Sequence, residues 1–134
     1  MQFITLTKNE LEIMELMWEI KRPLSRSEII ELSPNRSWKA SSIHILLNKM
    51  LEKGAIGVEG FIRTGKNYGR TYSPLITEDD YFMMQLKQSS FYTNLKSSAT
   101  SKIFSALLND KDIDDNVIEE LEQMIAERKN KKQK

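Results

Sequence analysis

Few side chains in this sequence of 134 residues could carry out catalysis. The chain has one histidine, His44, and no cysteine. This composition excludes thiol nucleophiles, disulfides, zinc–thiolate sites and paired-histidine metal motifs. We therefore predict that the protein is not an enzyme, and a hydrolase or a metal enzyme remains a disfavoured alternative.

Two further patterns resemble ligand sites only in part. The acidic run 110–115 resembles the start of a calcium loop, but Asp115 stands at the position that requires glycine and Leu121 at the position that requires glutamate. The spacing Gly65-x-x-x-Gly69 lacks the Lys-Ser/Thr of a phosphate loop. We predict no metal and no cofactor.

The segment 38–54 offers a different chemistry, which is contact with DNA. At about 100° per residue, a helix over 39–53 gathers its apolar residues on one face and polar side chains on the other. Ser, His and Asn side chains can read base edges, and Lys binds phosphate or guanine. Ile45, an apolar residue on the polar face, could contact a thymine methyl group or pack against a neighbouring side chain. For the whole face, the alternative is an ordinary helix surface in contact with solvent. The residues predicted here to contact DNA are Lys39, Ser41, Ser42, His44, Ile45, Asn48 and Lys49.

Local signals place this segment as the third of three helices. Thr7 with Glu10 and Ser25 with Glu28 form two capping boxes, each of which opens a helix. A break rich in turn formers covers 33–37, and Gly54 suits a left-handed helix end. Trp38 is interpreted as a core residue.

A β hairpin follows the third helix. Residues 55–59 read as one strand and 70–73 as its partner, and the loop between them is basic. The basic side chains Arg63, Lys66 and Arg70 could lie across phosphates or in a minor groove. Three helices and a hairpin predict a winged helix-turn-helix, a mainly α (α+β) fold, over residues 1–75.

The charge distribution agrees with an anionic partner for this part of the chain. The net charge of the whole sequence is only +1. Residues 21–70, however, hold 10 basic and 4 acidic side chains, which gives a local net charge of +6.

Residues 76–134 are predicted to be a helical dimerisation region. About 60 residues of short amphipathic helices bury little surface alone, so a second copy is the expected partner. The basic end after Arg128 is interpreted as a solvated tail. The residues predicted to form the dimer are Tyr81, Met84, Phe91, Leu95, Phe104, Leu107, Leu108, Val117, Leu121, Met124 and Ile125.

The sequence shows neither a signal peptide nor a membrane-spanning apolar run, so we expect a cytoplasmic protein.

The motifs together resemble the BlaI/MecI/CopY family, of the penicillinase-repressor type. The resemblance covers nearly the whole chain and is strongest to about residue 82. It is carried by Thr7-x-x-Glu10-Leu11-Glu12-Ile13-Met14 with Trp18, by Trp38, Ser42-Ile43 and Leu47, by Lys53-Gly54-Ala55-Ile56, and by Arg70-Thr71-Tyr72-Ser73-Pro74-Leu75-Ile76. At Ser42, His44 and Ile45, relatives commonly have Thr, Gln and Thr, and their wing is several residues shorter.

The resemblance implies a homodimeric repressor on a palindromic operator of antibiotic-resistance or stress genes. Release from DNA in such families follows proteolysis or metal binding, and the missing cysteines disfavour the copper-responsive branch. Proteolysis implies a sensor protease as a partner and a cleaved bond near Ser105-Ala106, where the family pattern is Asn-Phe. The alternative function is a winged-helix module that binds protein without DNA.

Overall fold

A computed structural model describes residues 3–64, 67–93 and 95–132 of the chain. Lys66 lies outside these residues, and the side chain of Phe91 is outside the description as well. The chain divides into a first unit, residues 1–92, and a second unit, residues 93–134. The sequence predicted a boundary after residue 75 between a DNA-binding domain and a dimerisation domain. That functional division remains a prediction.

The first unit begins with three helical segments. Helix α1 spans Lys8–Ile20, a two-residue strand β1 spans Leu24–Ser25, and α2 spans Arg26–Glu31. A 3₁₀ turn, Ala40–Ser42, leads directly into α3, Ile43–Glu52. The predicted single helix over 39–53 therefore begins with a tighter turn.

Both predicted capping boxes are confirmed. The Thr7 and Ser25 side chains each accept a hydrogen bond from the N–H three residues on, and Glu10 and Glu28 each accept one from the backbone N–H of the capping residue. Each box satisfies backbone donors that a helix start leaves free. Helix α1 ends at Lys21, which takes a left-handed conformation with φ of 62°.

The sheet of the first unit has three antiparallel strands in the order β1-β3-β2. Strand β2 spans Ile56–Thr64 and β3 spans Asn67–Pro74, so the hairpin is longer than predicted. Strand β1 was not predicted, because two residues inside a capping box are too few to show a strand period. A β-bulge at Glu59, between Val58 and Gly60, inserts one residue into the outer strand.

The buried apolar side chains of the described residues all belong to the first unit. Ile13, Met14, Met17, Leu47 and Met50 are almost fully buried where α1 and α3 meet. Trp38 is buried as well, which confirms its core interpretation. Three helical segments around a small sheet confirm the predicted winged-helix class.

Helix α4, Glu78–Gln88, completes the first unit, and the short α5, Ser90–Thr93, follows it. The Trp18 indole N–H donates to the Ile76 carbonyl at 3.0 Å, and the Tyr81 ring lies 5.9 Å from that of Trp18. Tyr81 is therefore buried within one copy of the chain. Met84 is half-buried against the same core.

The second unit contains α6, Ser97–Leu108, and α7, Asp115–Lys132. Together they line an open groove of about 700 Å³ whose walls are mostly apolar. Phe104, Leu108, Met124 and Ile125 line the groove and are exposed, whereas Leu121 is half-buried.

Candidate nucleic-acid interface

Helix α3 presents one buried face and one exposed face, as the sequence predicted. Ile43, Leu47 and Met50 are buried. On the opposite side lie the exposed residues that were predicted to contact DNA, together with the exposed acidic residue Glu52 in the last turn. We call the recognition face the six residues Lys39, Ser41, His44, Ile45, Asn48 and Lys49. Ser42 is half-buried at the junction of the 3₁₀ turn and the helix.

Ile45 is 60% exposed, so it does not pack sideways onto a neighbour as one sequence interpretation allowed. An exposed apolar side chain among polar ones offers a contact for a thymine methyl group. The six exposed residues can thus present hydrogen-bond donors and acceptors, two cations and one apolar group to one groove of a duplex.

The end of α3 is held by a partly buried ion pair. The Lys53 ammonium donates to Glu10 Oε1 at 2.5 Å and to the Thr5 carbonyl at 2.9 Å. Glu10, which is 0% exposed, also accepts from the Thr7 backbone N–H at 2.8 Å. Burial alone would raise the pKa of Glu10, but the bonds from Lys53 and Thr7 outweigh it, and the pKa is lowered. The pair fixes where α3 ends relative to α1.

Gly54 follows with φ of 78°, which confirms the predicted left-handed helix end. The Ala55 N–H then donates to the Met50 carbonyl at 3.0 Å, as in a Schellman-type ending. The chain thus turns directly from α3 into strand β2 of the wing.

A basic cavity of about 250 Å³ lies where the recognition face meets the wing. It is lined by Arg26, His44, Asn48, Gly69, Arg70 and Tyr72. Among these described residues no side chain is acidic, so the cavity suits an anion such as a backbone phosphate. The structure therefore brings together His44, Asn48 and Arg70, which the sequence predicted separately.

Arg26 is the site residue that sequence reasoning missed. It is the first residue of α2, and its guanidinium contacts the His44 ring on α3. The sequence pattern around it indicated only a capping box. The available signal was a basic residue directly after a cap, where the free N–H groups of a helix start also favour an anion.

Arg22, four residues before Arg26 in the sequence, is paired within the protein. Its guanidinium donates to Glu28 at 2.7 Å, in an ion pair whose Arg side chain is 53% exposed. The Ser25 N–H, with a further contribution from Arg22, holds the pKa of Glu28 below its ordinary value despite partial burial. The positive charge of Arg22 is thus largely balanced within the protein.

The wing carries further predicted contacts. Arg63 and Arg70 are exposed, on β2 and β3 respectively. Arg70 pairs across the sheet with Phe61, and Arg63 pairs with Tyr68. Two residues apart along a strand share a face, so Phe61, Arg63 and Arg70 lie on one face together with Tyr72.

The remaining predicted residues lie in the second unit or at its border. Ser105 and Ala106 are exposed residues inside α6, and Leu95 is half-buried before that helix. Leu107 and Val117 are exposed. In the described part of the chain, no three His, Cys, Asp or Glu side chains cluster as metal ligands. None of the described helices has the length and apolar composition to span a bilayer.

Comparison with known proteins agrees with this arrangement. The penicillinase repressor family model matches residues 6–127. The penicillinase repressor of Bacillus licheniformis is 28% identical over 123 residues, which cover 92% of this chain and 91% of the relative. An uncharacterized 16.5 kDa protein in the ptsI 3′ region of Latilactobacillus sakei is 26% identical over 121 residues, 90% of this chain and 78% of the relative.

The match spans the winged helix and most of the second unit. It confirms the resemblance that the sequence motifs indicated, and with it the prediction of a transcription regulator, not an enzyme. The chain belongs to the penicillinase repressor family, a family of DNA-binding transcriptional repressors.

Proposed function

We propose that this protein represses transcription as a homodimer bound to a palindromic operator. The observation that carries the proposal is the continuity of the recognition face with the basic cavity. His44 and Asn48 belong to both, and Arg26 and Arg70 flank them from α2 and the wing. One docking position would put α3 in the major groove and a phosphate in the cavity.

Within this proposal, the polar side chains of α3 set which bases are preferred. Asn48 can pair with adenine, and Lys49 can bind guanine or a phosphate. Arg26 and Arg70 contribute charge that does not depend on sequence. At the base pairs that Ser42, His44 and Ile45 contact, the operator sequence differs from that of relatives.

The dimer would form through the second unit. Its groove between α6 and α7 exposes Phe104, Leu108, Met124 and Ile125. Contiguous exposed apolar surface of this kind favours association. An isologous pair would place two copies of α3 about 34–36 Å apart, or a multiple of that distance, along the duplex.

We also propose release by proteolysis, with a cleaved bond near Ser105-Ala106. Ser105 and Ala106 lie within α6, so the helix must open locally before a protease can bind there. Cleavage would separate Leu107, Leu108 and the whole of α7 from the DNA-binding part. The intact mass of the protein recovered from cells treated with a β-lactam tests this: an unchanged mass would contradict it.

The main test is recovery of DNA bound to the protein in the cytoplasm of living cells. Immunoprecipitation with sequencing is expected to enrich one or a few palindromic sites. Uniform recovery of the genome would contradict the repressor function and favour the module that binds protein only.

A matched pair of variants tests the interface itself. Arg26→Ala and Arg22→Ala each remove one positive charge, four residues apart. We expect Arg26→Ala to weaken operator binding about tenfold, and Arg22→Ala, whose charge is paired with Glu28, to change it less than threefold. Equal effects of the two variants would show that the cavity has no special role.

A further inference from the structure

The wing carries an exposed aromatic side chain, Phe61, that the major-groove contact of α3 leaves unused. Phe61 is 67% exposed and lies in the middle of β2. Large apolar side chains exposed singly are common on protein surfaces. Phe61 differs from such isolated residues because of the side chains that neighbour it across the sheet.

Phe61 lies directly opposite Arg70 in the antiparallel pairing of β2 and β3. Opposite residues have Cβ atoms about 4.5–5.5 Å apart on the same face of the sheet. Arg70 also lines the basic cavity with His44 and Asn48 of α3. Phe61 is therefore on the wing face that continues the proposed DNA-binding surface, one strand further from α3.

The charges around Phe61 suit a polyanion. Arg63 lies two residues along on the same strand face, and Arg70 lies across from it. Glu59 is the one acidic residue of segment 55–75, which also contains Lys66, so the segment has a net charge of +2. An aromatic ring between arginines fits a nucleic-acid groove better than the interior of a second protein.

We propose that Phe61 is an apolar wedge that enters the minor groove beside the major-groove site of α3. Proteins that use this groove combine arginines with apolar side chains pressed against base steps. Phe61 would contact the groove floor while Arg63 and Arg70 lie along its phosphate walls. The wedge makes binding depend on the shape and deformability of the flanking base pairs.

This inference rests on the proposed function, because it needs a DNA duplex on the recognition face. The probe is a duplex selected from a random-sequence pool by binding to the unaltered full-length protein. If no duplex is selected, the proposed function fails and the wedge fails with it. If a duplex is selected, the wedge can be tested separately.

The test compares Phe61→Ala with Ile62→Ala. Ile62 is the next residue of β2, is also exposed at 38%, and pairs with Gly69 on the opposite face of the hairpin. Both changes remove an apolar side chain from the same strand. We expect Phe61→Ala to weaken binding about tenfold for each wing, and Ile62→Ala to weaken it less than twofold.

Two further readouts separate a groove contact from a general defect of the wing. Because Phe61 is uncharged, the slope of affinity against salt is expected to stay unchanged in Phe61→Ala. Hydroxyl-radical footprinting is expected to lose protection of the minor groove flanking the α3 site, and Ile62→Ala is expected to keep it.

Several results would overturn the wedge while leaving the repressor function standing. Binding that is unchanged in Phe61→Ala would do so, as would equal losses in both variants. A change of oligomeric state by light scattering in Phe61→Ala, with DNA affinity intact, would instead assign Phe61 to a protein contact.

Discussion

Replacing Lys53 by methionine is expected to destabilise the first unit strongly, although the residue lies on the surface side of a helix end. The change leaves the Glu10 carboxylate buried with one remaining donor, the Thr7 N–H, and its Oε2 has no hydrogen-bond partner among the described residues. Removing one partner of a buried pair costs about 3–5 kcal/mol. Because Lys53 is itself 31% exposed, water can partly replace it, and we expect a loss near 2–3 kcal/mol.

The exposed pair between Arg22 and Glu28 provides the matched control. Arg22→Gln also breaks an ion pair at a capping-box glutamate, but its side chain is 53% exposed. Surface pairs contribute between about 0 and 1 kcal/mol. Urea unfolding of the full-length variants at pH 7 measures both losses. A loss in Lys53→Met no larger than that in Arg22→Gln would refute the argument from burial.

The pH dependence provides a second check on the same pair. The pKa of Glu10 is lowered in the folded state from an ordinary value of 4.5. A group with a lowered folded pKa contributes stability above its unfolded pKa and loses it as the pH falls through the folded value. The unfolding free energy of the unaltered protein should therefore decline as the pH falls below about 4.5. In Glu10→Gln the decline should be shallower, and an identical decline would contradict the assignment.

Three further predictions concern the backbone, the wing and the dimer. Gly54→Ala should lower the unfolding free energy by about 1 kcal/mol, and Lys21→Gly should raise it by a similar amount, because both positions have positive φ. Urea unfolding measures both changes, and a change of the same sign in the two variants would contradict this prediction. Arg70→Ala should lower operator affinity. The slope of log affinity against log salt concentration should also fall by about 1 for each copy of the chain bound, and an unchanged slope would remove Arg70 from the phosphate contacts. Ile125→Glu should convert the proposed dimer to monomer in sedimentation velocity, whereas Glu127→Lys, on the same helix, should not. A dimer that persists in Ile125→Glu would exclude this groove from the interface.

The first unit was the more predictable part of the chain, because its signals are local. The capping boxes at Thr7 and Ser25 and the left-handed Gly54 act within a few residues, so the sequence alone reveals them. The strand β1 and the length of the wing depend on pairing with β3, which no local pattern records. The bulge at Glu59 also interrupts the alternation that would have indicated a longer strand.

The candidate site was predicted in composition but not in arrangement. The polar stripe of α3 follows from helical periodicity, so His44 and Asn48 were found. The contact of Arg26 with His44 joins residues 18 positions apart and depends on how α2 and α3 cross. Tyr81 was predicted to contact the second copy of a dimer, because helical spacing identifies a buried residue but not the residues that cover it. Its ring is buried beside that of Trp18 in the same chain.

The bulge at Glu59 affects how this wing can change in length during evolution. Gly60 is the next residue after Val58 with a partner on β3, so Glu59 is extra to the ladder. A deletion of this one codon would leave every pair from Gly60 to Thr64 intact, and Phe61 would still face Arg70. Deletion of Gly60 would have the same result, because Glu59 would take its place opposite Thr71. Deletion of Ile62, with the bulge kept, would instead place Arg63 opposite Gly69, on the other face of the hairpin from Arg70. Natural variation in wing length is therefore expected to concentrate at this bulge, where it leaves the pairing of Phe61 with Arg70 in place.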